Sequence, residues 1–519
     1  MGACVLTELL DTVNGYIWSN GLIYLCLAAG VYFSVRSRFV QVRQIPEMIR
    51  LMFSGEKSPS GVSSFQALAM SLSGRVGTGN IAGVATAIAF GGPGALFWMW
   101  AVAFLGASTS FVECTLGQIY KTRDRRTGEY RGGPAYYFSK AMAHTRAASL
   151  FKAYGFVFAA VTVLACGVLL PSVQSNSMAS AMHQAWGVSH WVVAVGTVIV
   201  LAFVIIGGVK RIAAFAAVVV PFMAIVYIAL ALVIVAVNAS EIPGIMRMIV
   251  ASAFGADSVF GAIIGSAVMW GVKRGVYSNE AGQGTGPHSA AAAEVSHPAK
   301  QGLVQAFAVY VDTLFICTAT GFLILSTGAY RVFDGETASG AVLADGGALP
   351  GDATVGPSFA QVGVDTLWSG FGSTFVAVSL AFFCLTTIIA YYYMAETNLQ
   401  FLLGRYSPLP VPIVRGSIGS NSTLVLQALI LISVVMGAVS TATEAWTLGD
   451  IGVGLMAWLN IIGIIILQQP AYKALRDYER QKRAGVDPVF DPLALRIFGA
   501  TFWETYEPTT GKDRVRTTV

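Results

Sequence analysis

The chain has 519 residues, of which 55% are apolar and only 11% charged, whereas soluble domains carry roughly 25% charged residues. With 56 glycines at no fixed three-residue period and a mean hydropathy of +0.66, disorder, collagen and a solvated multidomain enzyme are excluded. The net charge of +5 comes with no basic patch interleaved with aromatics, so nucleic-acid binding is not indicated. The apolar residues fall in stretches long enough to cross a bilayer, and the chain reads as an all-α polytopic membrane protein.

A spanning helix needs about 20 predominantly apolar residues. In chain order the sequence predicts eleven, at 15–35, 65–90, 95–119, 154–181, 191–207, 213–237, 258–281, 303–328, 367–393, 422–441 and 446–467. The N-terminal MGACVLTELLDTVNGYIW has no positive n-region and no cleavage site, so the first span reads as retained. The segment KTRDRRTGEYRGGPAYYFSKAMAHTR reads as a cytoplasmic loop with a helix lying at the headgroups. The largest outer connection, 329–366, is rich in Gly and Asp and reads as an irregular surface loop. The six cysteines, Cys4, Cys26, Cys114, Cys166, Cys317 and Cys384, form no CxxC and read as small packing residues.

Orientation follows from Lys and Arg in the connections. One alternating set (36–57, 121–152, 207–212, 273–300, 404–415 and the tail) holds 29 of the 32. The other set holds only Arg247 and Arg331, and Arg75 falls inside a span. The N-terminus is therefore expected outside and the C-terminus in the cytoplasm.

Set the first span aside and ten remain, five and five. Because five is odd, the second set enters the membrane from the opposite side, which makes an inverted repeat by parity. The expected organisation is an extra helix and basic loop at 1–60, a first repeat at 61–240, a second at 241–470 and a cytoplasmic tail at 471–519. The helices opening the two halves carry the worst helix chemistry. SLSGRVGTGNIAGVATAI has Gly74, Gly77, Gly79 and Gly83, and MWGVKRGVYSNEAGQGTGPHS has Gly271, Gly275, Gly282, Gly284 and Gly286. Each interior Gly costs about 1 kcal/mol against Ala. Glycine also serves as a packing face in membrane helices, but two Gly-rich spans in matching positions, mixed with Asn, Ser or Thr, point to broken helices around a midplane site. Backbone groups freed by a break must face protein or a watery cavity.

GGPGALFWMW at 91–100, with VGTGNIAGVATAI before it and RGVYSNEAGQGTGP at 274–287, resembles the alanine or glycine:cation symporter family. The resemblance covers roughly 60 to 470. It implies a fold similar to the sodium-coupled leucine transporter, with one extra N-terminal helix before a five-plus-five inverted repeat, and sodium-coupled carriage of small neutral amino acids. It places substrate and ion at the two breaks, helped by the third and eighth core helices. On this pattern Gly77, Thr78, Gly79 and Asn80 match the first break, whose free N–H groups and helix dipole suit a carboxylate. The carbonyls of Ser73 and Val76 are implied sodium ligands, with Thr386 and Thr387 in AFFCLTTIIAYYYMAE supplying hydroxyls. A TT pair alone is weak evidence, since Thr bonds back to its own helix. In LLPSVQSNSMA, Gln174, Asn176 and Ser177 read either as interhelical glue or as cavity lining, and the resemblance favours Gln174 as a pocket residue. Trp270 is a candidate wall of the pocket beside Gly271.

Arg75 departs from the small hydroxyl residue expected at its place. An Arg in a span is costly; it either faces the cytoplasmic vestibule or pairs with Asp312 or Glu113. Asn279 and Glu280 either cap the second broken helix or contact solute, and His288 and His297 are expected on the inner surface without a metal role. Together these readings give a sodium-coupled symporter for alanine or glycine, with sodium ion as the co-transported partner and the lipid bilayer as its medium. The rival reading is a channel with polar midplane breaks. A membrane-embedded enzyme finds no support, because HExxH and GxSxG motifs are absent and no His lies inside a firm span.

Overall fold

A computed structural model describes residues 2–53, 61–124, 128–205, 208–256, 260–403 and 418–506. The expected basic connection at 404–415 and the end of the tail lie outside the described residues.

The chain is mostly helical. It opens with α1 (Gly2–Ile17) and α2 (Asn20–Arg36), whose apolar stretch runs from Glu8 to Arg36 and so begins earlier than expected. The short α3 (Val40–Arg43) leads into α4 (Ile45–Phe53), an amphipathic helix that buries Met48 and Leu51 and pairs Glu47 with Arg50 outside. Ser63 then starts α5 (Ser64–Arg75): its hydroxyl accepts the Gln66 N–H while the Gln66 side chain accepts the Ser63 N–H. This reciprocal cap satisfies two otherwise orphaned donors. α5 stops at Val76, and a π-helical turn at Gly79–Gly83 and α6 (Val84–Gly91) resume the path.

α7 (Gly94–Ile119) returns through the membrane to a two-residue ribbon, β1 (Thr122–Arg123) with β2 (Tyr130–Arg131), and to α8 (Pro134–Ala141). On α8, read from sequence as a headgroup helix, Tyr136, Tyr137 and Phe138 are buried, and the helix packs against α9 (Ala148–Leu164). α9 continues through a π-helical turn at Ala165–Leu169 into α10 (Leu170–Trp186), and α11 (His190–Ile205), α12 (Gly208–Val237) and α13 (Ile242–Ala253) follow.

The second interrupted helix is α14 (Ile264–Asn279) with α15 (Gly286–Ala292). α16 (Pro298–Tyr310) and α17 (Thr318–Ser326) are joined by a π-helical turn at Val311–Cys317. The 329–366 connection is more ordered than its composition suggested. β3 (Arg331–Phe333) pairs antiparallel with β4 (Val342–Asp345), and α18 (Pro357–Asp365) buries most of its length. α19 (Phe371–Leu402), α20 (Ile418–Val439), α21 (Ala442–Leu467), α22 (Gln469–Arg483) and α23 (Thr501–Thr505) complete the described chain.

Eight helical stretches among the described residues are long and apolar enough to cross a membrane. Three of the eleven expected spans fall short of that length: α11 has 16 residues, and the two broken spans are divided by their interruptions. The halves of those two spans touch, α5 against α15 and α6 against α14, so the breaks lie side by side in the interior. α7 backs α14 and α15 on one side, while α10 and α19 pack together and α19 closes on α5.

Candidate functional site

At the first break the helix ends because Val76 turns to an extended conformation and Gly77 takes over. Gly77 is required by close approach: a Cβ there would stand 2.6 Å from Thr387 Oγ1 and 2.7 Å from Gln174 Oε1. Two amide side chains receive the freed donors. Gly77 N–H donates to Asn80 Oδ1 at 2.9 Å, and Thr78 N–H donates to Gln174 Oε1 at 3.0 Å. The Thr78 hydroxyl bonds the Ser177 hydroxyl on α10. Gly79 backs onto Ser278 of the second broken helix.

On the other side of the break, Thr387 Oγ1 lies 2.8 Å from Ser73 O, 3.2 Å from Val76 O and 2.9 Å from Phe383 O. A hydroxyl has one proton, so it can fully satisfy only one of these three carbonyls. The remaining oxygens face one another with like partial charge, and a hard cation is the partner that such an oxygen set accepts. Thr386 does not join it: its hydroxyl bonds Phe382 O at 3.0 Å and Phe383 O at 2.9 Å within α19.

Asp312, on the π-helical turn between α16 and α17, ties the two breaks together. Its carboxylate accepts Asn80 Nδ2 at 2.6 Å, the Ser278 hydroxyl at 2.9 Å and the Thr313 hydroxyl at 2.8 Å. Sequence reasoning weighed it only as a partner for Arg75. A carboxylate deep in a span is itself the signal that marked it for a site.

The second break is built differently. Asn279 Oδ1 caps Ala281 N–H at 3.0 Å, and Glu280 ends α14 in the left-handed region at φ 57°. Gly282 and Gly284 follow at φ 88° and 83°, a conformation that favours glycine. Glu113 of α7 splints the turn, accepting Gly282 N–H at 3.2 Å, Gly284 N–H at 3.1 Å and Asn460 Nδ2 at 2.6 Å. Glu280 receives only the Thr285 hydroxyl at 3.0 Å, and its other oxygen is buried without a partner among the described residues. Both oxygens lie 3.3 Å from the place of a Gly74 Cβ. Asn279 thus caps the turn, whereas the Glu280 carboxylate bonds the Thr285 hydroxyl and not a backbone N–H.

Arg75 is buried, and neither alternative expected for it is met. It faces no open vestibule, and no ion pair to Asp312 or Glu113 forms among the described residues. Its guanidinium donates instead to Gln305 O at 3.1 Å and the Ser110 hydroxyl at 3.3 Å, because Glu113 and Asp312 are already filled by donors from the breaks.

Within α14, just ahead of the second break, Arg274 grips Asp450 of α21 with two bonds of 2.9 Å, and Lys273 Nζ adds a third contact at 2.8 Å. The Arg274 guanidinium stacks 4.3 Å from the Trp446 ring and 5.1 Å from Trp270, a cation–π arrangement. Trp270 thus stands in this ion-pair layer, its ring 5.1 Å from Phe90. Gly271 belongs to neither break: a Cβ there would meet Ala95 O and Trp98 Cβ at 2.5 Å, and Gly275 abuts Val102 in the same way. These two are the small-residue face on which α14 meets α7. Lys273 and Arg274, counted by sequence with the cytoplasmic connection, are buried ahead of the break. Without these two, 27 of the 29 cations stay in the set that the sequence assigns to the cytoplasmic connections.

Asn176 is interhelical glue, donating to Gly437 O and Ser440 O at 3.0 and 2.8 Å. His288 and His297, expected on the inner surface, are buried. His288 sits against Gly133 and Asn398, and His297 caps α16 beneath α22 with Asp477 at 3.4 Å. The five cysteines whose side chains are described are free and buried, as expected.

The family model for the sodium:alanine symporter family matches residues 3–492. A putative sodium/proton-dependent alanine carrier protein of Bacillus subtilis is 53% identical over 96% of this chain and 98% of its own. A sodium/proton-dependent alanine carrier protein of Bacillus sp. strain PS3 is 48% identical over 88% and 97%. Among solved structures, a sodium-coupled sialic acid symporter aligns over 96% of this chain and 98% of its own at 12% identity and a TM-score of 0.47. By the extent of the family match and the identity to these carriers, the chain belongs to the sodium:alanine symporter family.

Proposed function

We propose that the chain is a secondary active symporter that carries a small neutral amino acid together with sodium by alternating access. The observation that carries this is the meeting of Thr387 Oγ1 with Ser73 O and Val76 O, an oxygen set drawn from two helices around a helix break. Sodium there neutralises the C-terminal end of α5, where the helix dipole is negative. A substrate carboxylate takes the Gly77 and Thr78 N–H groups that Asn80 and Gln174 now hold, at the positive start of the resuming helix. Glu113 and Asp312 are occupied by donors, so neither is reserved for a basic side chain, which supports a small neutral amino acid over lysine.

The packing of α5 on α15 and of α6 on α14 supports the five-plus-five inverted repeat, since antiparallel broken helices meet in this way. The charge asymmetry, 27 against Arg247 and Arg331, supports an outer N-terminus and a cytoplasmic C-terminus in a cell membrane. On that orientation the Arg274–Asp450 layer closes the outer side and the Glu113 splint holds the inner hinge. The names of the Bacillus relatives support alanine as substrate and sodium as coupling ion. Radiolabelled alanine uptake into proteoliposomes, with and without an inward sodium gradient, tests the proposal. Uptake that ignores the gradient, or flux that does not saturate, refutes it and favours a channel.

A further inference from the structure

Far from both breaks, where α2 leaves the membrane, a cavity of about 290 Å³ opens between the α2–α3 corner and α22. Six guanidinium groups line it. Arg43 and Arg483 share Glu479 at 2.7 and 3.6 Å, and Arg480 pairs with Asp477. Arg36, Arg38 and Arg476 have no carboxylate partner among the described residues, and the Arg36 guanidinium is held over the Tyr472 ring at 5.5 Å. Three cationic groups therefore converge on one concavity without counter-ions.

The backbone aims them there. Arg38 and Phe39 are consecutive non-glycine residues in the left-handed region, at φ 55° and 52°. Such strain persists only where the surroundings over-determine it; here the Phe39 N–H donates to Ser34 O at 2.6 Å and Ser37 and Val40 are buried beneath. The result sets Arg38 on the cavity and leaves Phe39 exposed beside it. Val35 and Val42 are exposed as well. Unpaired guanidiniums with an apolar margin at the end of a membrane span match an amphiphilic anion, not a free one: the cations meet a phosphate and the margin meets acyl chains.

We propose that this cavity binds the phosphate headgroup of an anionic glycerophospholipid, with Arg36, Arg38 and Arg476 as its ligands. The full-length protein is purified, stripped of lipid with detergent, and titrated with phosphatidylglycerol, phosphatidylcholine or inorganic phosphate while bound lipid is read by native mass spectrometry and stability by thermal unfolding. Phosphatidylglycerol is expected to stay bound and raise the unfolding temperature, while phosphatidylcholine and inorganic phosphate do neither. Arg38→Gln and Arg476→Gln should each weaken binding roughly fivefold, from about 1 kcal/mol per basic residue near an anionic surface. Arg476→Lys should retain most of the binding. Equal retention of the two lipids by the unaltered protein overturns the proposal whatever the variants do. An equal thermal shift with inorganic phosphate overturns the lipid assignment, and unchanged phosphatidylglycerol affinity in both Gln variants overturns the residue assignment.

Discussion

Replacing Thr387 by Val separates the ion site from the helix that carries it. Valine keeps the β-branch and nearly the volume, and removes the one hydroxyl that lies 2.8 Å from Ser73 O and 3.2 Å from Val76 O. The backbone carbonyls stay, so the change subtracts a single ligand and leaves the break in place. Hydrogen bonds to charged groups contribute about 1.5–3 kcal/mol. Taken as the value of the lost ligand, this is on the order of a 10- to 150-fold loss in sodium affinity at about 1.4 kcal/mol per tenfold.

Thr386→Val is the internal control. Its hydroxyl bonds only Phe382 O and Phe383 O of its own helix, so sodium affinity should stay within about twofold, the effect of an ordinary local bond worth a few tenths of a kcal/mol. The assay is the sodium dependence of alanine uptake in proteoliposomes, with substrate affinity followed in parallel. Alanine affinity should fall in Thr387→Val through the coupling and recover in part at high sodium. Unchanged sodium affinity in Thr387→Val would show that the ion sits elsewhere, and an equal loss in both variants would show that Thr386 ligates it as well.

Gly77→Ala should abolish uptake in a protein that still inserts, since its methyl group would stand 2.6 Å from Thr387 Oγ1 and 2.7 Å from Gln174 Oε1; Gly83→Ala, with 3.7 Å to its nearest neighbour, should transport nearly normally. Asn80→Ala should also stop uptake, because it releases Gly77 N–H and one donor of Asp312 together; near-normal transport would mean the amide is only glue. Asp450→Ala leaves Arg274 and Lys273 buried without their counter-charge, so it should destabilise the detergent-solubilised protein by about 3–5 kcal/mol, read as a lowered unfolding temperature. On α4, the Arg50 hydrogen bond holds the Glu47 carboxyl down at about 2 from its ordinary 4.5, while the Tyr478 hydroxyl of α22 donates to the same group. A lowered carboxylate contributes stability above its unfolded value and loses it as pH falls through the folded one. Limited proteolysis with an acid-active protease should thus find α22 protected at mildly acidic pH and released only as pH falls toward about 2.

What the sequence made legible is what a single stretch of chain decides. The apolar runs located the helices to within a few residues, and two Gly-rich spans located both breaks, because polar backbone cannot be left facing lipid. What it left ambiguous is partnership across the fold. Asp450 and Arg274 are 176 positions apart, and a lone acid in an apolar helix names no counter-ion. The aromatics of α8 name no partner either, and the cover that α9 supplies is seen only in the fold.

Two placements could have been read more sharply from local geometry. Successive residues on a helix point about 100° apart, so Thr386 and Thr387 present their hydroxyls in different directions. Accordingly the Thr387 hydroxyl reaches Ser73 O across the first break, while the Thr386 hydroxyl bonds only within α19. The glycines of the second broken span divide by the same logic. Gly271 and Gly275 are four apart and fall on one helical face, where a missing Cβ lets α7 approach; Gly282 and Gly284 are two apart, share no helical face, and sit at positive φ. Gly271 carries the packing signature although it lies next to Trp270.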